Sequence, residues 1–263
     1  MEANPARHHP WMPVMLLALV IPMILAFIYF QVTAASFRMF GLTASETILI
    51  LLASVIGSII NIPLTRRKIQ LADPVLQRLS PTMQRLMLLF HYYPPAVIEQ
   101  VVAVNVGGAL VPLGFSAYLL TRPGTPIVLA LVAAVVIAII AKLLARPLPG
   151  VGITLPGFVP PILSAIVAFL LVHFIAPQDS ITALAEVAYI GGTLGTLVGA
   201  DLLNLPLVLR GGLLAAGPQR VWRLGQQPMP RLDKPRVLSI GGAGIFDGVF
   251  LTGILAAFLV RLG

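Results

Sequence analysis

The sequence predicts an all-α fold: a polytopic transmembrane bundle of about seven helices, with the N-terminus inside and the C-terminus outside. Three observations carry this expectation. Of 263 residues, 58% are apolar and only 10% are charged, with a mean hydropathy of +0.98. A soluble domain carries about 25% charged residues, so a soluble globule of this size is excluded. Seven apolar stretches approach the roughly 20 residues that a helix needs to cross a bilayer. The positive charges are also distributed asymmetrically between the loops.

The expected spans are residues 13–36, 43–64, 95–120, 126–145, 157–176, 184–209 and 237–260, forming one integral membrane domain over 1–263. Lipid offers no partners to backbone N–H and C=O groups, so each span is expected to be helical. A transmembrane barrel would need short alternating segments, whereas these runs are continuously apolar. In the first span, Arg7, an apolar run and Val32-Thr33-Ala34 resemble a signal peptide. The run exceeds the usual core of about 7–15 residues, and an uncleaved anchor is expected.

Arg7, the cations of 65–94 (Arg66, Arg67, Lys68, Arg78 and Arg85), Lys142 and Arg146, and those of 210–236 (Arg210, Arg220, Arg223, Arg231, Lys234 and Arg236) fall on one side. The other side has Arg38, Arg122 and Arg261, so the ratio is 14 to 3. The cation-rich side is cytoplasmic by the positive-inside rule, which predicts a cytoplasmic (inner) membrane, multi-pass protein. The net charge of +8 is explained the same way, and no nucleic-acid partner is expected. The expected partners are the lipid bilayer and anionic headgroups at the basic inner loops; association into a homo-oligomer stays open.

Between the spans, residues 69–92 have near-helical apolar spacing broken by Pro74 and Pro81 and are expected to lie along the interface. His91, Tyr92 and Tyr93 fall where an aromatic belt is expected. The 210–236 loop, rich in Gly, Pro, Gln and Arg with Trp222, reads as irregular. Residues 146–157 are apolar, with three prolines and three glycines. They read either as a re-entrant loop lining a site or as a tight interfacial turn. Asn61-Ile62-Pro63-Leu64 and Asn204-Leu205-Pro206-Leu207 are similar words, each at the inner end of a span, but seven spans do not divide into two equal halves.

Ionisable residues inside membrane helices point most directly to function, because they are costly unless paired or hydrated. Asp201 lies nine residues from Arg210, about 13 Å along a helix, and Asp247 eleven from Arg236, about 16 Å. The two helices are consecutive and antiparallel, so both carboxylates fall near one depth, close to the midplane. Gly191, Gly195 and Gly199 recur every four residues, and so do Gly244 and Gly248, a spacing that lets helices approach closely. On a regular helix Asp201 then points away from its glycine face.

A close pair of buried carboxylates shares a proton readily. Such a pair can bind a proton or cation, or serve as an acid–base dyad acting on water. Asn105, followed by Gly107-Gly108 and Pro112, suggests a locally broken helix level with the pair. Asn61, Asn204, Gly150, Gly152 and Thr196 complete the expected substrate path. No HExxH, Walker A or GxSxG sequence is present and cysteine is absent. No metal site and no cofactor are therefore expected.

With these words assembled, the chain resembles an uncharacterised multi-spanning membrane family of bacteria and archaea, a domain of unknown function. The likeness rests on Gly57-Ser58-Ile59-Ile60-Asn61-Ile62-Pro63-Leu64, Asn105-Val106-Gly107-Gly108-Ala109-Leu110-Val111-Pro112-Leu113 and Gly150-Val151-Gly152-Ile153. It continues through the glycine-rich run Tyr189–Asp201 and the run Gly241–Gly248. It implies a membrane protein and supplies no activity. The chain is also similar to the intramembrane aspartyl proteases, which carry Tyr-Asp and Gly-x-Gly-Asp on consecutive helices. Here Phe246-Asp247 and Val198-Gly199-Ala200-Asp201 stand in reversed order, and no Pro-Ala-Leu follows.

Three readings result. The leading one is proton- or cation-coupled movement of a small solute through Asp201 and Asp247. The second is an aspartyl protease-like hydrolase. The third is a membrane scaffold or assembly factor in which protonated aspartates bind helices together.

Overall fold

The computed structural model describes residues 12–71, 82, 96–148, 152–175, 181–206, 236–242 and 248–262. Among them are seven helices: α1 Met12–Met39, α2 Ala44–Gly57, α3 Val106–Leu120, α4 Ile127–Leu144, α5 Val159–Phe174, α6 Ile181–Leu202 and α7 Gly248–Leu259. The helical class expected from composition holds. Three of the helices, Val14–Met39 within α1, α4 and α6, are long and apolar enough to cross a membrane; the other four are shorter.

The structure departs from the expected spans in one respect: strands take over the ends of three of them. β1 Asn61–Leu71, β2 Ala96–Asn105 and β5 Arg236–Ile240 form a sheet in the order β1-β2-β5. β1 runs antiparallel to β2, pairing Asn61 with Asn105 and Leu71 with Ala96, and β5 runs parallel to β2, pairing Ile240 with Val104. Local chemistry explains each switch. Pro63 lacks an N–H and cannot continue α2; it sits at a register shift in β1, which pairs only with β2 among the described strands. β2 holds Val97, Ile98, Val101, Val102 and Val104, whose branched side chains suit a pleated sheet. As the central strand it is apolar at most positions, Glu99, Gln100 and Asn105 being the exceptions, which is why it passes for a buried helix in the sequence.

The two parallel strands end alike. β2 runs into Gly107-Gly108 and then α3, while β5 runs into Gly241-Gly242, with α7 following at Gly248. Within residues 146–157 the structure describes 146–148 and 152–157. β3 Arg146–Leu148 and β4 Gly152–Thr154 form a short antiparallel hairpin, with Leu148 opposite Gly152. Ile153 and Leu155 then pack against Ala141, Ala145 and Ala200 at the ends of α4 and α6.

α6 is the hub, contacting α4, α5 and α7. Its glycine face meets α4: a Cβ on Gly195 would stand 2.6 Å from that of Ile137, and one on Gly199 2.2 Å from the Ala138 carbonyl oxygen. The expected glycine packing is therefore real, and its partner is α4. Phe37, Phe40, Phe115 and Tyr189 meet edge to face, with ring centroids 5.1–5.6 Å apart, an arrangement favourable beyond area burial alone. Ser36 of α1 donates to the Ile254 carbonyl of α7 at 3.0 Å, fixing α1 to this core.

Candidate functional site

The polar residues concentrate where the three strands end. Asn105, the last residue of β2, is fully buried. Its side-chain oxygen accepts from the Gly108 N–H at 2.7 Å, capping the first turn of α3. Its Nδ2 donates to the Ser58 carbonyl at 2.7 Å and to Asn61 Oδ1 at 3.2 Å. Ser239 of β5 donates to the same Asn61 oxygen at 2.5 Å. Asn61 is itself exposed. The amide oxygen of Asn61 thus ties together the start of β1, the end of β2 and β5.

Asp201 joins this junction from α6. One carboxylate oxygen accepts from the Gly241 N–H at 3.1 Å. Gly241 lies two residues past Ser239, about 7 Å along an extended chain. Gly241 has φ +67°, and a Cβ there would stand 2.7 Å from the Ala109 nitrogen. A side chain at 241 would therefore clash with the start of α3 as well as strain its own backbone.

Both helices that reach the junction are irregular there. Val106–Leu110 at the start of α3 and Leu197–Leu202 at the end of α6 are wound as π-turns. Such turns are rare and are found frequently at functional sites. The first packs backbone against α2: Ser54 Oγ donates to the Gly107 carbonyl at 2.7 Å. The second places Asp201 toward the end of β5, on a different side from the glycines that meet α4.

The remaining expected residues are placed as follows. Asn204 is buried and engaged: Nδ2 donates to the Gly199 and Ala200 carbonyls, and Oδ1 accepts from Lys142 Nζ at 2.6 Å. It closes the end of α6 rather than facing the junction. Thr196 is buried with no hydrogen bond to a described residue. Gly152 lies in the β3–β4 hairpin. Asp247 and Gly150 lie outside the described residues. Asp201, Asn61 and Asn105 are thus brought to one junction.

A second buried polar site escaped the sequence reading. Glu186, near the start of α6, is almost fully buried and lies 3.4 Å from the Arg122 guanidinium. It also accepts from Thr125 Oγ1 at 2.8 Å. Arg122 donates in addition to the Phe40 carbonyl at 2.5 Å. The cluster joins the α1–α2 corner, the α3–α4 turn and α6. A signal was present: Glu186 falls two residues inside the expected sixth span, and Arg122 lies in a short turn expected on the same side of the membrane.

The family described as "Protein of unknown function (DUF1614)" matches residues 55–259. No curated protein and no solved structure shows a match.

Proposed function

The chain belongs to the DUF1614 family, and we propose that it is a polytopic inner-membrane protein that couples movement of a small solute to a proton or cation held at Asp201. The observation that carries this reading is the junction itself. An acidic side chain, two amides and a hydroxyl meet where three strands end and two helices are interrupted by π-turns. In membranes, irregular backbone is tolerated where protein or a water-filled cavity satisfies it, and interrupted helices are a recurrent way of building transport sites. From the sequence, Asp247 is expected at a similar depth and is the candidate for a second carboxylate. The Ser239 hydroxyl oxygen supplies a neutral ligand of the kind hard cations accept, and the Asn61 amide oxygen, which accepts from Ser239 and Asn105, holds it in place. The basic inner loops hold the protein against anionic headgroups.

The test is charge displacement on a solid-supported membrane carrying the purified, reconstituted chain. Proton and sodium concentration jumps serve as probes. Wild type gives a displacement current for at least one of the two ions, and Asp201→Asn lowers it at least tenfold while the protein stays folded. A wild type silent to both ions, or an unchanged current in Asp201→Asn, refutes the assignment.

A further inference from the structure

We propose that the buried face of α6 carries a file of hydroxyl groups that relays protons between Glu186 at one end and Asp201 at the other. It rests on the reading of Asp201 as a proton site and deepens it by supplying the route. Glu186, Tyr189, Thr193 and Thr196 are spaced three, four and three residues apart, which keeps them on one helix face. Asp201 follows five residues later, the period of the π-turn that begins at Leu197. The file covers fifteen residues, about 22 Å at helical rise, most of the thickness of a hydrocarbon core.

Hydrogen bonding sets this face apart. Three helix hydroxyls elsewhere bond back to their own backbone, Thr33 to the Tyr29 carbonyl, Ser36 to that of Val32 and Ser116 to that of Pro112, whereas Thr47 of α2 is buried without a partner among the described residues. The hydroxyls of Tyr189, Thr193 and Thr196, and of Ser164 on α5, are at most 1% exposed and have no hydrogen bond to a described residue. Buried polar groups are rarely left in that state, and an explanation is owed for each. Small residues let the neighbouring helices pack closely over the file. A Cβ on Gly253 of α7 would stand 2.1 Å from Thr193 Oγ1, and one on Gly192 3.0 Å from Ser164 Oγ. The Tyr189 and Thr193 side chains are direct neighbours, so a proton can pass between their hydroxyls.

A hydroxyl can accept a proton on its oxygen while releasing its own. Each relay step therefore makes one O–H bond and breaks another, with no net change at the hydroxyl. Single water molecules bridge the intervals that direct contact does not, each held by the hydroxyls on either side. The excess proton enters at the Glu186 carboxylate and leaves at that of Asp201. Among the described residues, the titratable and charged groups facing the file are Arg122, beside Glu186, and Tyr29 of α1, beside Tyr189.

The test uses proteoliposomes of the full chain with a pH-sensitive dye inside, driven by a potassium diffusion potential. Wild type acidifies the lumen well above protein-free liposomes. Thr193→Val with Thr196→Val lowers the initial rate at least tenfold, whereas the paired Ser substitutions stay within about twofold. Tyr189→Phe provides the same loss if the valine pair fails to fold. A wild type no leakier than empty liposomes overturns the file, and so does a folded valine pair that conducts at the wild-type rate. If the valine pair conducts normally while Asp201→Asn abolishes the charge displacement, the file falls and the Asp201 site stands. If the valine pair is slow while Asp201→Asn changes neither flux nor displacement, the route through 193 and 196 stands and the Asp201 site falls.

Discussion

Gly107→Ala tests the packing that builds the junction. A Cβ at this position would stand 1.9 Å from the Ser54 carbonyl oxygen, 2.5 Å from the Ser58 nitrogen and 2.9 Å from the Gly57 carbonyl carbon. All three are backbone atoms of α2 or its cap, so no side-chain rotation relieves the clash. Reaching ordinary contact requires α2 and the π-turn to separate by about 1.5 Å. That separation breaks the Ser54 bond to the Gly107 carbonyl and stretches the Asn105 bond to the Ser58 carbonyl, both 2.7 Å long. Overpacking costs about 1–3 kcal/mol and each hydrogen bond about 0.5–1.5 kcal/mol net, so the expected loss is about 4 kcal/mol. Gly114→Ala is the internal control seven residues away on the same helix. Its Cβ would meet nothing within 4 Å, and alanine in a helix interior gains up to about 1 kcal/mol over glycine. Thermal unfolding of the purified protein in detergent reads both. At 2–4 °C per kcal/mol for a chain of about this size, Gly107→Ala should lose about 10 °C and Gly114→Ala should lose nothing. Equal shifts for the two variants, or a Gly107→Ala protein within a degree or two of wild type, would refute the reasoning.

Three further outcomes follow from the same geometry. Glu186→Ala removes the carboxylate from Arg122 and Thr125, which keep the Phe40 and Leu119 carbonyls as acceptors; with Arg122 partly solvated, the loss should be about 1–2 kcal/mol. Glu186→Gln keeps an acceptor for Thr125 and should cost about half as much, read by the same unfolding assay. Asn105→Ala removes the bonds to Ser58, Asn61 and Gly108 together and should cost about 3 kcal/mol; hydrogen exchange should then rise at the start of α3 before it rises in α4. Thr43→Ala dismantles the capping box that Thr43 forms with Glu46; a loss of about 1 kcal/mol in thermal unfolding is expected.

Much of the helical framework was legible in the sequence, because long apolar runs such as those of α4 and α6 have one solution in lipid. The glycine spacing of 191, 195 and 199 announced close packing, although only the structure shows α4 as the partner. The strands were not legible. Val97 to Val106 is largely apolar, with Glu99, Gln100 and Asn105 as its polar positions, and periodicity cannot separate such a central strand from a buried helix. The β2–β5 pairing joins residues more than 130 positions apart, beyond any local signal. Pro63 and the pairs Gly107-Gly108 and Gly241-Gly242 were the local hints, since neither residue type propagates a helix well. Asp201, Asn61 and Asn105 were singled out because polar groups at membrane depth are costly; the structure bonds Asn61 to Asn105 and sets Asp201 against Gly241, two residues past Ser239. Glu186 was passed over because a carboxylate two residues inside a span reads as hydrated, and its partner Arg122 belongs to a different loop.

Cysteine labelling of the junction tests the central claim, a water-accessible polar site inside an apolar bundle, most directly. The chain contains no cysteine, so Asn61→Cys, Ser239→Cys and the control Val128→Cys, on the exposed apolar face of α4, can each be made singly. With a membrane-impermeant maleimide on inverted vesicles, positions 61 and 239 should label and position 128 should not. Failure of both junction positions to label, or labelling of all three alike, would contradict the account.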